Sequence, residues 1–80
     1  MNKQDARAAV NHALGQVAPD VEPEGLEDGA RLRQDLELDS LDFLRLVQTI
    51  DSATGVNIPE SDYPRVSTLG GLVSYVTEHG

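Results

Sequence analysis

The stretch from Asp35 to Gly55 restricts the fold of this chain most strongly, because it joins an acidic approach, one serine and a long amphipathic run. Asp39 is a favoured N-cap residue, and Asp42, three positions later, is the reciprocal acid of a capping box. Gly55 is the residue type that most often follows the last turn of a helix. The pattern predicts a helix that begins at Ser40 and stops at Gly55, which makes Ser40 its first residue.

This helix has apolar residues on two sides. At 100° per residue, one arc is expected to face the core, and it holds Phe43, Leu46, Val47, Ile50 and Ala53. Leu41 and Leu44 lie outside that arc, on a side that they share with Arg45, Gln48, Asp51 and Ser52. Because the core arc does not cover Leu41 and Leu44, their face is a candidate partner surface.

The chain before this helix predicts one more helix and a long loop. Residues 2–17 show apolar residues at three- and four-residue spacing, with Asn2 as a possible N-cap and Pro19 ending the helix by Ala18. From residue 18 to residue 38 the composition is that of a loop, in which 31–36 can form a short turn of helix. Four leucines are the expected anchors of this loop: Leu26, Leu32, Leu36 and Leu38.

The chain after Gly55 predicts two further helices. Val56 and Ile58 are expected to point back to the core, and a short third helix should begin at Pro59 and end before Pro64. Ser67 or Thr68 then caps a final helix with four apolar residues on one face, Leu69, Leu72, Val73 and Val76. Within it, Gly70 and Gly71 permit close approach of a neighbour.

No segment of adequate length alternates with period two, so we expect no sheet. The predicted fold class is all-α: a small four-helix bundle of three longer helices and one short third helix, with a long loop between helices 1 and 2. Residues 1–80 are expected to form a single domain.

Charge and composition limit the partners of this chain. The net charge of −8 argues against nucleic acid and anionic membranes as partners. Residues 20–42 hold nine acids against two arginines, so a net charge of −7 lies just before and at Ser40. No apolar run approaches the length of a membrane span, and the N-terminus lacks the apolar stretch of a signal peptide. We therefore expect a cytoplasmic monomer without membrane insertion.

The chain has no cysteine, so any thiol that acts here must be added.

Three motifs carry a resemblance to a known family. They are Asp39-Ser40-Leu41 with Leu36 before it, Ile58-Pro59-Glu60-Ser61-Asp62, and Val66-Ser67-Thr68-Leu69. In sequence and spacing they resemble the acyl carrier proteins, over about residues 30–76. The resemblance implies that Ser40, flanked by Asp39 and Leu41, carries 4′-phosphopantetheine derived from coenzyme A. The thiol of that group would hold acyl chains as thioesters.

The resemblance also implies a carrier without catalytic residues of its own. Its partners would be a phosphopantetheinyl transferase and the enzymes that load and process acyl groups in fatty-acid, polyketide or other lipid biosynthesis. The helical wheel, rather than the resemblance, predicts the face that they would contact, which holds Leu41, Asp42, Leu44, Arg45, Gln48 and Asp51. Fatty-acid carriers are usually acidic along this helix, and here Arg45, Gln48 and Ser52 interrupt the acidic surface. This departure favours a specialised carrier with dedicated partners.

Two other functions stay open at this point. Aminoacyl and peptidyl carriers usually have glycines ahead of the serine motif, where this chain has Glu37 and Leu38, which favours an acyl carrier. An unmodified interaction module that uses the Leu41 and Leu44 face is the second alternative.

Two chemistries fit the sequence poorly. Asp35, Glu37 and Asp39 match the first ligands of an EF-hand, but Ser40 replaces its glycine and Leu46 its bidentate glutamate, so we expect no metal site. Hydrolysis by Ser40 would need an adjacent base, and the chain offers only His12 and His79.

Overall fold

The computed structural model describes residues 1–22 and 25–80. Its elements in chain order are α1 (Lys3–Val17), α2 (Ser40–Thr54), a 3₁₀ helix (Glu60–Val66) and α3 (Leu69–His79). Within the described residues, the β-type pairing is limited to one isolated bridge between Arg31 and Thr68. The predicted all-α bundle of three longer helices and one short helix is confirmed.

Local capping explains where the helices begin and end. The Asn2 side chain accepts a hydrogen bond from the Asp5 N–H at 2.7 Å, and Thr68 Oγ1 accepts one from the Gly71 N–H at 3.0 Å. Thr68, rather than Ser67, is therefore the cap of α3. At the end of α1, the Ala18 N–H donates to the Leu14 carbonyl at 2.7 Å. Each bond satisfies a terminal backbone group that the helix itself leaves unpaired.

One apolar core joins all the elements. α1 packs against both α2 and α3, and α3 packs against the 3₁₀ helix. The largest fully buried side chains are Val10, Leu14, Leu32, Leu46, Ile50, Val66, Leu69, Leu72, Val73 and Val76. Val56 and Ile58 are also buried, as predicted.

The core arc of α2 is correct except at its last turn. Phe43, Leu46, Val47 and Ile50 are buried, but Ala53 is exposed, so its assignment to the core was wrong. Periodicity gives the direction of a side chain around the helix axis, whereas burial also requires a neighbour at that level. Ala53 lies two residues before the exposed Gly55, where the helix ends.

The long loop is fixed to the bundle by its leucines. Leu32 and Leu38 are buried, and Leu26 and Leu36 pack partly buried against the core. Pro23, which the loop prediction includes, lies outside the described residues. The Asp35 N–H donates to the Arg31 carbonyl at 2.9 Å, which closes a single helical turn inside the predicted 31–36 segment.

The same part of the loop is tied to the start of α3. The Leu32 N–H donates to the Ser67 carbonyl at 2.9 Å, and the Leu69 N–H donates to the Ala30 carbonyl at 2.9 Å. These bonds run between backbones, so they hold the turn around Leu32 at a fixed place on the bundle.

The prediction that the short helix ends before Pro64 was wrong, because the 3₁₀ helix continues through Pro64 to Val66. Proline fixes φ near −65°, which a 3₁₀ helix accepts, and its missing N–H removes one hydrogen bond from a short element. Contacts with side chains of α2 and α3 stabilise the 3₁₀ helix. Tyr63 meets Phe43 edge to face at 5.1 Å, and the Tyr75 hydroxyl donates to Asp62 at 2.7 Å.

Candidate functional site

Ser40 is the first residue of α2 and is exposed. Asp39 caps the helix as predicted, since its Oδ1 accepts from the Asp42 N–H at 2.8 Å. The Phe43 N–H donates to the Asp39 carbonyl at 2.9 Å, which begins the helical ladder. The capping box is formed in one direction: among the described residues, no bond runs from the Asp39 N–H to the Asp42 carboxylate.

The backbone around Ser40 suits an anion. The N–H groups of Ser40 and Leu41 belong to the first turn, where a helix offers no internal acceptor, while the Asp42 N–H is already capped. The aligned peptide dipoles add a partial positive charge at this end. A phosphodiester attached at the Ser40 Oγ would therefore meet free donors and a favourable field.

Arg33 is the side chain that contacts Ser40. Its Nη2 donates to the Ser40 Oγ at 3.1 Å, although the two residues are seven positions apart. The neighbouring Arg31 is occupied elsewhere: it donates to Asp35 through its backbone N–H at 2.8 Å and its Nη2 at 3.1 Å. Hydrogen bonds from the Arg31 side chain, and then from its backbone, hold the pKa of Asp35 below its usual range. The two arginines of the acidic segment thus have different roles.

The chain reaches Ser40 through a residue with unusual backbone geometry. Glu37 has φ of 57°, in the left-handed region that costs a non-glycine residue roughly 1–2 kcal/mol. Directly after it, Leu38 is buried, which anchors the approach to the helix. Glu37 also stands where aminoacyl and peptidyl carriers usually have a glycine. The backbone at this position has a conformation that glycine favours, although the residue is a glutamate.

Glu37→Gly is expected to raise the free energy of unfolding by about 0.5–1 kcal/mol, because relief of the left-handed strain exceeds the added entropy of the unfolded chain. Urea unfolding followed by circular dichroism measures the change. Glu37→Ala is the matched control, since it removes the same charge but keeps the strain. Equal stability of the two variants would attribute any gain to charge alone and refute the conformational argument.

The predicted partner face is open to solvent. Leu41 is 70% exposed and Leu44 is 41% exposed, and Arg45 and Gln48 are exposed beside them. Asp42 and Asp51 are half-buried on the same helix. Apart from Met1, these two leucines are the large apolar side chains that the described residues expose most. Leu41 and Leu44 are three positions apart, so they are neighbours on one face of the helix, with charged residues beside them.

A groove of about 620 Å³ lies next to the Ser40 contact, because Arg33 is part of its wall. Its lining joins the turn before α2, the first turns of α2 and the 3₁₀ helix. The lining residues are Arg33, Gln34, Leu38, Phe43, Tyr63, Pro64 and Ser67.

The residues of the two other chemistries, a calcium site and hydrolysis by Ser40, can be placed in the structure. The described residues contain no group of three His, Asp or Glu side chains that could hold a metal ion. His12 shares a hydrogen bond with Gln16 at 2.8 Å, and His79 stacks on Tyr75 at 4.2 Å between ring centroids. Both histidines have partners of their own. In the part of the chain that the structure describes, no helix is long and apolar enough to cross a membrane.

Sequence reasoning missed the role of Arg33 and the groove residues Gln34 and Tyr63. In the sequence, Arg33 is only one of two arginines among the nine acids of residues 20–42. The one indication in the sequence was that Arg33 directly follows Leu32, a predicted anchor of the loop. Leu32 is buried and fixes the turn from which Arg33 extends. The direction of that side chain depends on the docking of the loop, which no local pattern encodes.

Comparisons with known proteins show the family and the fold of this chain. The family described as "Phosphopantetheine attachment site" matches residues 7–76. An acyl carrier protein of Rubrobacter xylanophilus is 38% identical over 66 residues, which cover 82% of this chain and 75% of the relative. An acyl carrier protein of Chlamydia trachomatis is 30% identical over 77 residues, or 96% of this chain and 94% of the relative. A solved structure of the acyl carrier protein from Enterococcus faecalis has the same fold, with a TM-score of 0.78, 20% identity and full coverage of both chains.

The family match and the curated relatives identify this helical bundle as a carrier domain. The chain belongs to the acyl carrier protein family, whose members bear 4′-phosphopantetheine. It is a carrier that interacts with partner enzymes and is not itself an enzyme.

Proposed function

We propose that Ser40 is the residue that bears 4′-phosphopantetheine, and that the thiol of this group presents acyl chains to enzymes of fatty-acid, polyketide or other specialised lipid biosynthesis. The observation that carries the proposal is the position of the Ser40 Oγ. It is exposed at the first residue of α2, beside free backbone N–H groups, and Arg33 Nη2 lies 3.1 Å from it. When bound, the group supplies the thiol that a chain without cysteine lacks.

The residues around Ser40 bind and orient but do not activate. Asp39 is occupied as the cap of Asp42, and Arg33 donates a hydrogen bond to the serine oxygen, which lowers its nucleophilicity. A general base must come from outside, because activation of a serine requires an adjacent proton acceptor. The transfer from coenzyme A is therefore the work of a phosphopantetheinyl transferase, for which this chain is the substrate.

Intact mass spectrometry after incubation with coenzyme A and a transferase tests the proposal. The chain should gain one phosphopantetheine, and fragmentation should place it on the peptide that contains Ser40. The chain has five serines, so the assignment is a real choice. A mass gain on a fragment without Ser40 would refute the assignment.

We also propose that the face formed by Leu41, Asp42, Leu44, Arg45, Gln48 and Asp51 contacts the partner enzymes. Leu41 and Leu44 would enter an apolar depression of the partner, because both are exposed next to Ser40. Asp42 and Asp51 would attract basic residues at its rim. Arg45 interrupts this acidic surface, so a dedicated partner would present an acid there, while a basic partner would be repelled.

Arg45→Glu is expected to weaken pairing with a dedicated partner and to improve pairing with basic enzymes of general fatty-acid synthesis. We expect changes of roughly two- to tenfold in kcat/KM at low salt, in opposite directions, since exposed charges act mainly on association rates. At 0.1 M ionic strength the screening length is about 10 Å, so both effects should shrink as salt is added.

Leu44→Ala is the control for this experiment, because it removes apolar area without changing charge. It should weaken both pairings with little dependence on salt. Unchanged kinetics of Arg45→Glu with both kinds of partner at low salt would mean that α2 is not the recognition surface.

We further propose that residues 1–80 act as one domain and as a monomer in the cytoplasm. One continuous core joins α1, α2, the 3₁₀ helix and α3, which supports a single folding unit. The net charge of −8 opposes self-association through like-charge repulsion.

A further inference from the structure

Arg33 differs from Arg7, Arg31 and Arg65, each of which forms an ion pair with a carboxylate. Arg7 pairs with Asp28 at 2.6 Å, and Arg31 pairs with Asp35 at 3.1 Å. Among the described residues, no carboxylate lies within 4.0 Å of the Arg33 guanidinium, which instead donates to the Ser40 hydroxyl. A hydrogen bond from a guanidinium to a neutral hydroxyl lacks the attraction between opposite charges. The guanidinium binds more strongly to a carboxylate or a phosphate, because two of its N–H groups can donate to two oxygens of the anion.

The backbone that carries Arg33 is held firmly. Leu32, the residue before it, is fully buried, and its N–H is bound to the Ser67 carbonyl. On the other side, the Asp35 N–H closes the turn on the Arg31 carbonyl. Arg33 therefore extends from a fixed point toward Ser40, and only its side chain needs to adjust to a group attached there.

From these observations we propose that Arg33 is a positioning residue for the phosphodiester on Ser40. The inference rests on the proposed attachment at Ser40. In the unmodified chain, Arg33 Nη2 donates to the Ser40 Oγ at 3.1 Å. In the modified chain that oxygen would bridge to phosphorus, so the free phosphate oxygens would lie two bonds beyond an atom that the guanidinium already reaches. A small rotation of the Arg33 side chain converts the hydrogen bond into an ion pair.

The negative charge around Ser40 should make this ion pair stabilise the modified chain. The phosphodiester adds one negative charge to a segment, residues 20–42, that already has a net charge of −7. Asp39 directly precedes Ser40, and Asp42 follows it within the same turn. Arg33 offsets the repulsion that modification creates, so it should stabilise the modified chain more than the unmodified one.

The ion pair also gives the prosthetic arm a direction. Arg33 lines the groove of about 620 Å³, whereas Leu41 and Leu44 lie on the partner face. A phosphate drawn to Arg33 starts the arm at the wall of the groove. We expect the resonances of groove residues, such as Tyr63 and Ser67, to shift on modification in the native chain and to shift less without Arg33.

The test compares modified and unmodified forms of the native chain, Arg33→Met and Arg31→Met. Arg31→Met is the matched control: it removes the same charge from the same turn, and its loss of the Asp35 pair affects both forms alike. Intact mass first establishes complete modification of each chain. If Arg33→Met resists modification, Arg33→Lys, which keeps the charge but loses the fork, takes its place.

Two measurements decide the result. Each variant is compared with the native chain in the same state. Arg33→Met should lower the Tm by about 3 °C more in the modified form than in the unmodified form, whereas Arg31→Met should lower the Tm of both forms by nearly the same amount. The side-chain Nε–H resonance of Arg33 should move on modification of the native chain, and the movement should diminish at 1 M salt, where the screening length is about 3 Å.

The outcomes separate the inference from the function on which it rests. A native chain that gains no phosphopantetheine would overturn the proposed function, and the inference with it. A native chain that is modified, but whose Arg33 resonance does not move and whose Arg33→Met variant behaves as Arg31→Met does, would overturn the inference alone.

Discussion

Replacement of Ser40 by alanine is expected to abolish phosphopantetheine attachment completely while the fold remains intact. The chain has four other serines, and all of them are exposed, so exposure alone does not distinguish Ser40. Its position does, because it is the one described serine at the first residue of a helix and within reach of a guanidinium. The Ser40 side chain has one recorded hydrogen bond, at the surface, so its loss should change stability by less than about 0.5 kcal/mol.

Intact mass spectrometry measures the attachment of phosphopantetheine to Ser40→Ala, and far-ultraviolet circular dichroism measures its helical content. Ser52→Ala is the matched control, since Ser52 is an exposed serine of the same helix and should leave modification complete. Attachment that persists in Ser40→Ala would reassign the site. A loss of helical signal in that variant would instead show that Ser40 is needed for folding, which an exposed hydroxyl should not be.

The boundaries of α2 follow from local chemistry, which is why the sequence predicts them. Asp39 caps the N–H of a residue three positions away, and Gly55 ends the helix with φ of 76°, in the left-handed region that suits glycine. Both signals lie within a few residues of the ends that they define. The placement of Ser40 at the helix start, on which the proposed site depends, is therefore encoded locally.

Three features that depend on the surroundings of a residue in the folded chain were not predicted. Ala53 has the periodicity of a core residue, yet it is exposed at the end of the helix. Pro64 is a breaker by its own chemistry, yet the 3₁₀ helix around it continues, with Tyr63 packed against Phe43. Arg33 reaches Ser40 because the loop is bound to the start of α3 through Leu32 and Ser67. Each depends on a neighbour that the local sequence does not identify.

Close approach at Gly71 is one long-range feature that the sequence did suggest, and it leads to a large expected effect. A Cβ at Gly71 would lie 2.6 Å from the Arg65 carbonyl oxygen and 3.1 Å from the Thr68 Oγ1 that caps the helix. The first is a backbone atom of the 3₁₀ helix, so it cannot move aside as a side chain would. Gly71→Ala must therefore displace that helix from α3 or distort the cap.

We expect Gly71→Ala to lower the free energy of unfolding by about 2 kcal/mol, because the cost of overpacking exceeds the gain in helix propensity of about 1 kcal/mol. For a domain of this size the Tm should fall by roughly 10 °C. Thermal unfolding followed by circular dichroism measures the shift. A loss of this size is a large share of the stability of a small domain.

Gly15→Ala makes the same substitution in a helix where nothing lies within 4 Å of the added Cβ. It should gain the full helix propensity and raise the free energy of unfolding by about 1 kcal/mol. The two variants should thus shift Tm in opposite directions, although the chemical change is identical. If Gly71→Ala raised Tm as Gly15→Ala is expected to, the 3₁₀ helix would have room to retreat from α3, and the close approach would not be what requires glycine at this position.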